Sequence, residues 1–336
     1  MIAMNTRLGR SLLAALGLLL LGSGPGAAQE QRPGVWGTKA PMPMRRQETA
    51  IATVDGKIYV IGGNRSPDEK GNAVNSTRTD EYDPKTNKWR ARAAIPHGTN
   101  HAWAVGVNGK VYVVGGFDEG NKAGTYGVYE YDPKTNKWRD RVSLPDPPRG
   151  SAGLAVLDGK IHVIGGRDTD KSFETHDVYD PRTNRWSMAA PLPPGHGRDH
   201  IAAVAAIGGQ IHVIGGRFAR SDKMTDQHDV YDPKTNSWHA EAPLPTARSG
   251  GPGTVYRGLI IVMGGERPGG PMYLQNEAYD PRTKKWLTLA PLPEGRHATG
   301  AVVLGDTLYI PGGGAEPGGG KPVKTLLTFT LPKNMR

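Results

Sequence analysis

Three observations predict an all-β chain folded as a six-bladed β-propeller with four antiparallel strands per blade. Gly-Gly pairs close six apolar segments, a Tyr-Asp-Pro turn motif recurs, and short alternating segments lie between them. The pairs are Gly62-Gly63, Gly115-Gly116, Gly165-Gly166, Gly215-Gly216, Gly264-Gly265 and Gly312-Gly313, spaced by 53, 50, 50, 49 and 48 residues. A repeat of about 50 residues is one supersecondary unit that buries its apolar face only against its neighbours.

Each repeat divides into strands a to d. Strand a is small and alternating, as in Thr49-Ala50-Ile51-Ala52-Thr53-Val54. A two-residue turn follows (Asp55-Gly56, Asn108-Gly109, Asp158-Gly159, Gly208-Gly209), and such pairs suit a type I′ hairpin. Strand b, as in Ile58-Tyr59-Val60-Ile61, ends at the glycine pair. Strand c ends at Tyr-Asp-Pro, where proline stops the ladder and Asp-Pro starts a turn. The full motif Tyr-Asp-Pro-Lys/Arg-Thr-Asn-x-Trp occupies 82–89, 131–138, 179–186 and 231–238. A fifth copy at 279–286 carries Lys284 in place of Asn. Strand d carries the tryptophan.

The sixth repeat has no tryptophan strand of its own. Val35-Trp36-Gly37-Thr38-Lys39-Ala40 copies Lys88-Trp89-Arg90-Ala91-Arg92-Ala93, so an N-terminal strand containing Trp36 is expected to close the ring. Closure removes the open edges that invite aggregation. Trp36, Trp89, Trp138, Trp186, Trp238 and Trp286 are therefore expected to pack between blades. His162 and His212 are read as packing residues, because they stand in strand b where other repeats place tyrosine.

The leading residues differ from the rest. Arg7 and Arg10 form a basic n-region, Ser11 to Leu21 is an uncharged leucine-rich run, and Gly26-Ala27-Ala28 supplies small residues before Gln29. That pattern predicts a signal peptide over 1–28 and a propeller over 29–336, periplasmic or secreted. The apolar run falls short of the roughly 20 residues a span needs, so no membrane association is expected after cleavage. Without the leader, 40 basic residues face 32 acidic ones, a charge of +8 that favours anionic partners. The chain has no cysteine, which excludes disulfides, thiol nucleophiles and cysteine metal sites.

The double glycine, the tyrosine of Tyr-Asp-Pro and the tryptophan at these spacings resemble the Kelch family over the whole chain after the leader. That resemblance implies a Kelch-type propeller. The segment Gly265-Glu266-Arg267-Pro268-Gly269 is also similar to one in exported bacterial Kelch proteins that mutarotate N-acetylneuraminate, which implies Glu266 as a catalytic base. Those proteins place an arginine six residues on, where this chain has Met272. Copper radical oxidases of the galactose oxidase type require a cysteine crosslinked to tyrosine and do not fit.

The connections d–a and b–c share one face and vary in length, so function is expected there. Sixteen residues before the glycine pairs stand Arg46, Thr99, Arg149, Asp199, Arg248 and Arg296, with Arg198 one residue away in the fourth repeat. His101, His200 and His297 lie beside them, and Arg65, Arg167, Arg217 and Arg267 follow the glycine pairs. Convergent guanidiniums make an anion site through bidentate hydrogen bonds. The expectation is an exported, monomeric binding module whose arginine-lined channel mouth takes an anionic ligand such as an acidic glycan or acidic peptide. A sugar-acid mutarotase or epimerase and a protein-partner scaffold are the alternatives. No cofactor, metal or nucleic acid is expected, since basic residues that ring a pore are not the stripe that tracks a nucleic-acid backbone.

Overall fold

The computed structural model describes residues 32–65, 74–121, 123–219, 223–267 and 269–335. The predicted leader over 1–28 lies outside them. The described residues form six four-stranded antiparallel sheets, as the repeat predicts. In blade 1, strands a to d are Ala50–Val54, Lys57–Ile61, Thr79–Asp83 and Lys88–Arg92, paired in that order. Blades 2 to 5 repeat this plan from strands a at Trp103–Val107, Gly153–Leu157, Ala203–Ile207 and Gly253–Tyr256. Blade 6 takes strands a, b and c from Val302–Leu304, Thr307–Pro311 and Leu326–Thr330, and strand d from Val35–Lys39. Trp36 lies opposite Phe329 in that pairing, so the first strand closes the ring. Among the described residues no helix is long and apolar enough to cross a membrane.

The core lies between blades. Tyr59 and Ile61 of blade 1, for example, pack with Val111, Val113 and Tyr131 of blade 2. Three closed circuits of hydrogen bonds add direction to this packing. At the axis, the backbone N–H of one residue per blade donates to the carbonyl of its counterpart in the preceding blade. The bonds run His101 to Glu48 (3.1 Å), Ser151 to His101 (2.9 Å), His200 to Ser151 (3.2 Å), Gly250 to His200 (2.7 Å), Ala298 to Gly250 (2.9 Å) and Glu48 to Ala298 (2.6 Å). Further out, the second glycine of each pair donates to the next blade, as Gly63 does to the carbonyl of Thr99 at 2.8 Å. A Cβ on Gly62 would stand 2.7 Å from that same oxygen, and Gly62 has φ +62°, so only glycine fits there.

The outer circuit uses the tryptophans. Each indole N–H donates to a carbonyl at the end of strand d in the preceding blade: Trp36 to Ala290, Trp89 to Ala40, Trp138 to Ala93, Trp186 to Val142, Trp238 to Ala190 and Trp286 to Ala242. The motif asparagine supports the same seam. Asn87 Oδ1 accepts from the Ala40 amide at 2.9 Å and from the Tyr82 hydroxyl at 2.8 Å, and Asn136, Asn184 and Asn236 repeat the pattern. Where Lys284 replaces asparagine, Glu241 of blade 4 becomes the acceptor, taking bonds from Lys284 Nζ (2.8 Å) and the Tyr279 hydroxyl (3.0 Å).

His162 and His212 are packing residues, as expected, each with a histidine partner. His176 Nδ1 donates to the Ala190 carbonyl, which leaves its Nε2 to accept from His162 Nδ1 at 2.9 Å. His228 and His212 repeat this at 2.8 Å. Burial disfavours the imidazolium and pushes His162 down to about 4, with His176 and His212 at about 3 and His228 also lowered. A depressed folded-state value means that the unfolded chain binds the proton first. The stability these pairs supply is therefore present above about pH 6.5 and lost as pH falls toward 4. The urea midpoint is expected to fall between pH 6.5 and 4.5, before most carboxylates titrate. The double variant His162→Gln/His212→Gln keeps a donor to each partner and should show a shallower fall; an unchanged slope would refute this account.

Candidate ligand site at the propeller axis

The arginines expected to line the channel mouth do not do so. Arg46, Arg149, Arg198, Arg248 and Arg296 have 0–1% of their surface accessible. Each turns back into its own blade. Arg46 meets Asp80 and the carbonyls of Gly62 and Arg78. Arg149 meets Asp177, and Arg248 meets Glu277 and the carbonyl of Val262. Arg198 donates to Asp229 and to the carbonyls of Gly215 and Val213, each near 2.9 Å. Four of these acids occupy one position of strand c. In blade 2 that position is Tyr129, and the arginine position is Thr99, so arginine and acid are missing together. In blade 6 the position is Leu327, and Arg296 pairs with Glu294 instead at 2.9 Å. A buried charge requires a partner, and Arg46, Arg149, Arg198 and Arg248 have theirs inside the protein, while Arg296 meets a half-exposed Glu294.

The residues that reach the axis stand two places further on: Glu48, His101, Ser151, His200, Gly250 and Ala298, the members of the inner backbone circuit. All six have positive φ, from 46° to 64°. That backbone turn lets each residue bond to both neighbouring blades and turns Glu48, His101 and His200 toward one another. His101 Nε2 lies 3.1 Å from Glu48 Oε1, and the rings of His101 and His200 meet edge to face at 5.0 Å. Ser151 Oγ lies 3.4 Å from His200 Nε2. The Nδ1 atoms are held from behind, His101 by Asn100 Oδ1 and His200 by Asp199 Oδ1. Burial lowers the His200 imidazole to about 4, aided by the nearby charge of Arg217, so it is neutral at pH 7. Burial acts to raise the Glu48 carboxyl, but the charge and hydrogen bond of His101 outweigh it and hold Glu48 well below the ordinary range.

These side chains form the floor of an axial cavity of about 340 Å³. Its walls run along strands a toward the a–b hairpins and are small or apolar, including Ile51, Trp103, Val105, Val156, Val204 and Val255. The cavity therefore lies on the hairpin side of the floor, not on the side of the variable connections. On that second side the b–c connection of blade 6 lies over the mouth. The Gly318 amide donates to Glu266 Oε2 (2.7 Å), the Glu316 carbonyl lies 2.8 Å from His297 Nε2, and Gln47 donates to the Gly319 carbonyl.

The other expected residues fall into this capped layer. Glu266 is buried, and its carboxylate is met by Gly318 N–H, by Arg217 at 3.2 Å and by His297 Nδ1 at 3.4 Å. It serves as the acceptor that joins blades 4, 5 and 6. Arg217 also donates to His200 Nε2 at 2.9 Å and stands 3.6 Å from Asp199. Arg167 lies over the Phe117 ring at 4.4 Å and donates to the Thr169 carbonyl at 2.8 Å. Arg267 is exposed. Of the expected set, His101 and His200 reach the cavity, Arg217 touches it through His200, and the rest do not. Glu48 and Ser151 escaped the sequence reading. Their signal was the register, since Glu48, His101, Ser151, Gly250 and Ala298 all stand fourteen residues before a glycine pair.

A closed ring of six four-stranded blades, each with a double glycine at the end of strand b, around an axial cavity defines a Kelch-type β-propeller. Residues 31–216 match the KLHDC2/KLHL20/DRC7 Kelch-repeats domain, and residues 198–245 match the Kelch motif. The chain belongs to the Kelch-repeat family. The Kelch-like protein terF of Aspergillus terreus is 31% identical over 247 residues, covering 69% of this chain and 52% of that protein. The Kelch repeat and BTB domain-containing protein 12 of Danio rerio is 36% identical over 88 residues, covering 25% of this chain and 14% of that protein. The chain thus spans at most about half the length of these relatives. The solved "Structure of YjhT" superposes with a TM-score of 0.75 at 22% identity, covering 88% of this chain and 98% of that one, a likeness of fold alone.

The buried pairs set an expected outcome. Arg248→Met leaves Glu277 charged and buried without its partner and should cost about 3–5 kcal/mol in urea unfolding, whereas Arg248→Met/Glu277→Leu should recover much of that loss. Arg267→Ala, at an exposed site, should stay within about 0.5 kcal/mol.

Proposed function

We propose that this propeller is an exported binding module whose ligand enters the axial cavity from the hairpin side. The observation that carries this reading is the floor: Glu48, His101 and His200 converge at the end of a cavity with small apolar walls. Ligand sites combine apolar walls with a few convergent polar groups, and about 340 Å³ lies within the usual 300–1,000 Å³. Export is supported by the basic, apolar and small-residue pattern of 1–28.

The chemistry of the floor argues against an anion. The five arginines that would have held one are buried, four of them paired with acids inside their blades, while Glu48 presents an ionised carboxylate. A ligand that brings hydrogen-bond donors suits the floor better, and a hydroxyl-rich or amine-bearing molecule about the size of a monosaccharide fits the volume. Trp103 adds an aromatic wall.

Thermal unfolding against neutral sugars, amino sugars, sugar acids and acidic peptides tests this, because a ligand of the native state raises the melting temperature by mass action. A neutral or amine-bearing sugar should raise it in the wild type and not in Val105→Phe, which narrows the cavity. A shift from sugar acids alone, or from no small molecule at all, would overturn the proposal. The mature N-terminus, read by mass spectrometry after expression in a bacterial host, should begin at Gln29; an intact Met1 would refute export.

A further inference from the structure

We propose that Glu48, His101 and His200 form a site for one divalent first-row transition-metal ion of the Zn²⁺ class. One ligand atom from each lies within 4.8 Å of the other two. An ion bonded at about 2.0–2.2 Å draws such atoms closer together. Two imidazoles and one carboxylate make a donor set that selects for transition ions over Mg²⁺ and Ca²⁺, which favour oxygen.

The proximity is backed by an independent feature, the support behind each ring. Metal-binding imidazoles usually donate the opposite N–H to a carboxylate or carbonyl oxygen, which fixes the tautomer and aims the free nitrogen. Here His200 Nδ1 is bonded to Asp199, itself held by Ser172 Oγ at 2.6 Å, and His101 Nδ1 is bonded to Asn100, itself held to Asn75 at 2.7 Å. The Nε2 atoms are left facing the floor. Blades 1, 2 and 4 supply the ligands, and Ser151 of blade 3 stands beside them with its hydroxyl. Blades 5 and 6 present Gly250 and Ala298, so these two positions of the circuit offer no side-chain donor and leave room for water or a ligand atom. Arg217 is the competitor, because its Nη2 donates to the same His200 Nε2. It keeps Glu266 and Asp199 as partners when an ion takes that lone pair.

The site rests on the channel reading only for its location, since metal uptake is measured without an organic ligand. A failed sugar panel with intact metal uptake would sink the earlier proposal alone. Metal-stripped protein is dialysed against Zn²⁺, and against Mg²⁺ or Ca²⁺, and bound metal is counted by mass spectrometry. The expected result is one Zn²⁺ per chain and no stoichiometric Mg²⁺ or Ca²⁺. His101→Ala or His200→Ala should abolish that uptake, while His239→Ala, at an exposed position, should leave it unchanged. Asp199→Asn should weaken it by about 10–100-fold, and Arg217→Met should tighten it. Should an alanine variant fail to fold, Glu48→Gln with Co²⁺ gives a second reading through loss of the visible absorption of the bound ion. No uptake by the wild type, uptake retained in the histidine variants, or an equal preference for Ca²⁺ would each overturn the site.

Discussion

The closed backbone circuit at the axis is the constraint from which the rest of the architecture follows. Six residues give their N–H to one neighbouring blade and their carbonyl to the other, and the circuit closes only if every one adopts the left-handed turn. For residues other than glycine that conformation costs roughly 1–2 kcal/mol. The cost is met by interblade bonds that bury polar backbone close to the axis. A chain that fixes six residues in this way also fixes what stands at the centre of the molecule. Glu48, His101, Ser151 and His200 are thus held by the same bonds that hold the blades together, and a site built on them inherits the rigidity of the ring.

The arginines follow from the same economy of buried polar groups. Strand b ends at a glycine pair that leaves carbonyls exposed to the interior, and a guanidinium with five donors can serve several of them at once. Arg198 does so for Gly215 and Val213 while meeting Asp229. The acid on strand c balances the charge that this arrangement brings inside. Blade 2 shows the alternative, with Thr99 and Tyr129 in place of the pair.

The fold was legible because its signals are local and repeated. Glycine pairs and tryptophans recur six times and Asp-Pro turns five times, each reporting a backbone need, and the missing tryptophan strand of the last repeat pointed to Trp36. The site was legible only in part. Arg46 and its equivalents converge in sequence register, but register gives position along a strand and not the direction of a side chain. The sign that they point inward was present: Asp80, Asp177, Asp229 and Glu277 each stand three residues before the aspartate of Tyr-Asp-Pro, in four of the five blades that carry the arginine. Glu48 carried no such mark. Its meaning comes from His101 and His200, which are separated from it by one and three blades and meet it only when the ring closes.

The replacement of the motif asparagine by Lys284 bears on how such a molecule can change. In four seams the acceptor and its tyrosine come from one blade, so that blade carries its own half of the joint. In the seam between blades 4 and 5 the acceptor is Glu241, on the other side. Those two blades have become a pair: moved separately to new places in the ring, one would bring a lysine without a carboxylate and the other a carboxylate without a lysine. A molecule that descends from copies of one unit has in this way begun to lose its interchangeable parts, one joint at a time, and acquires a fixed order that its symmetry alone would not impose.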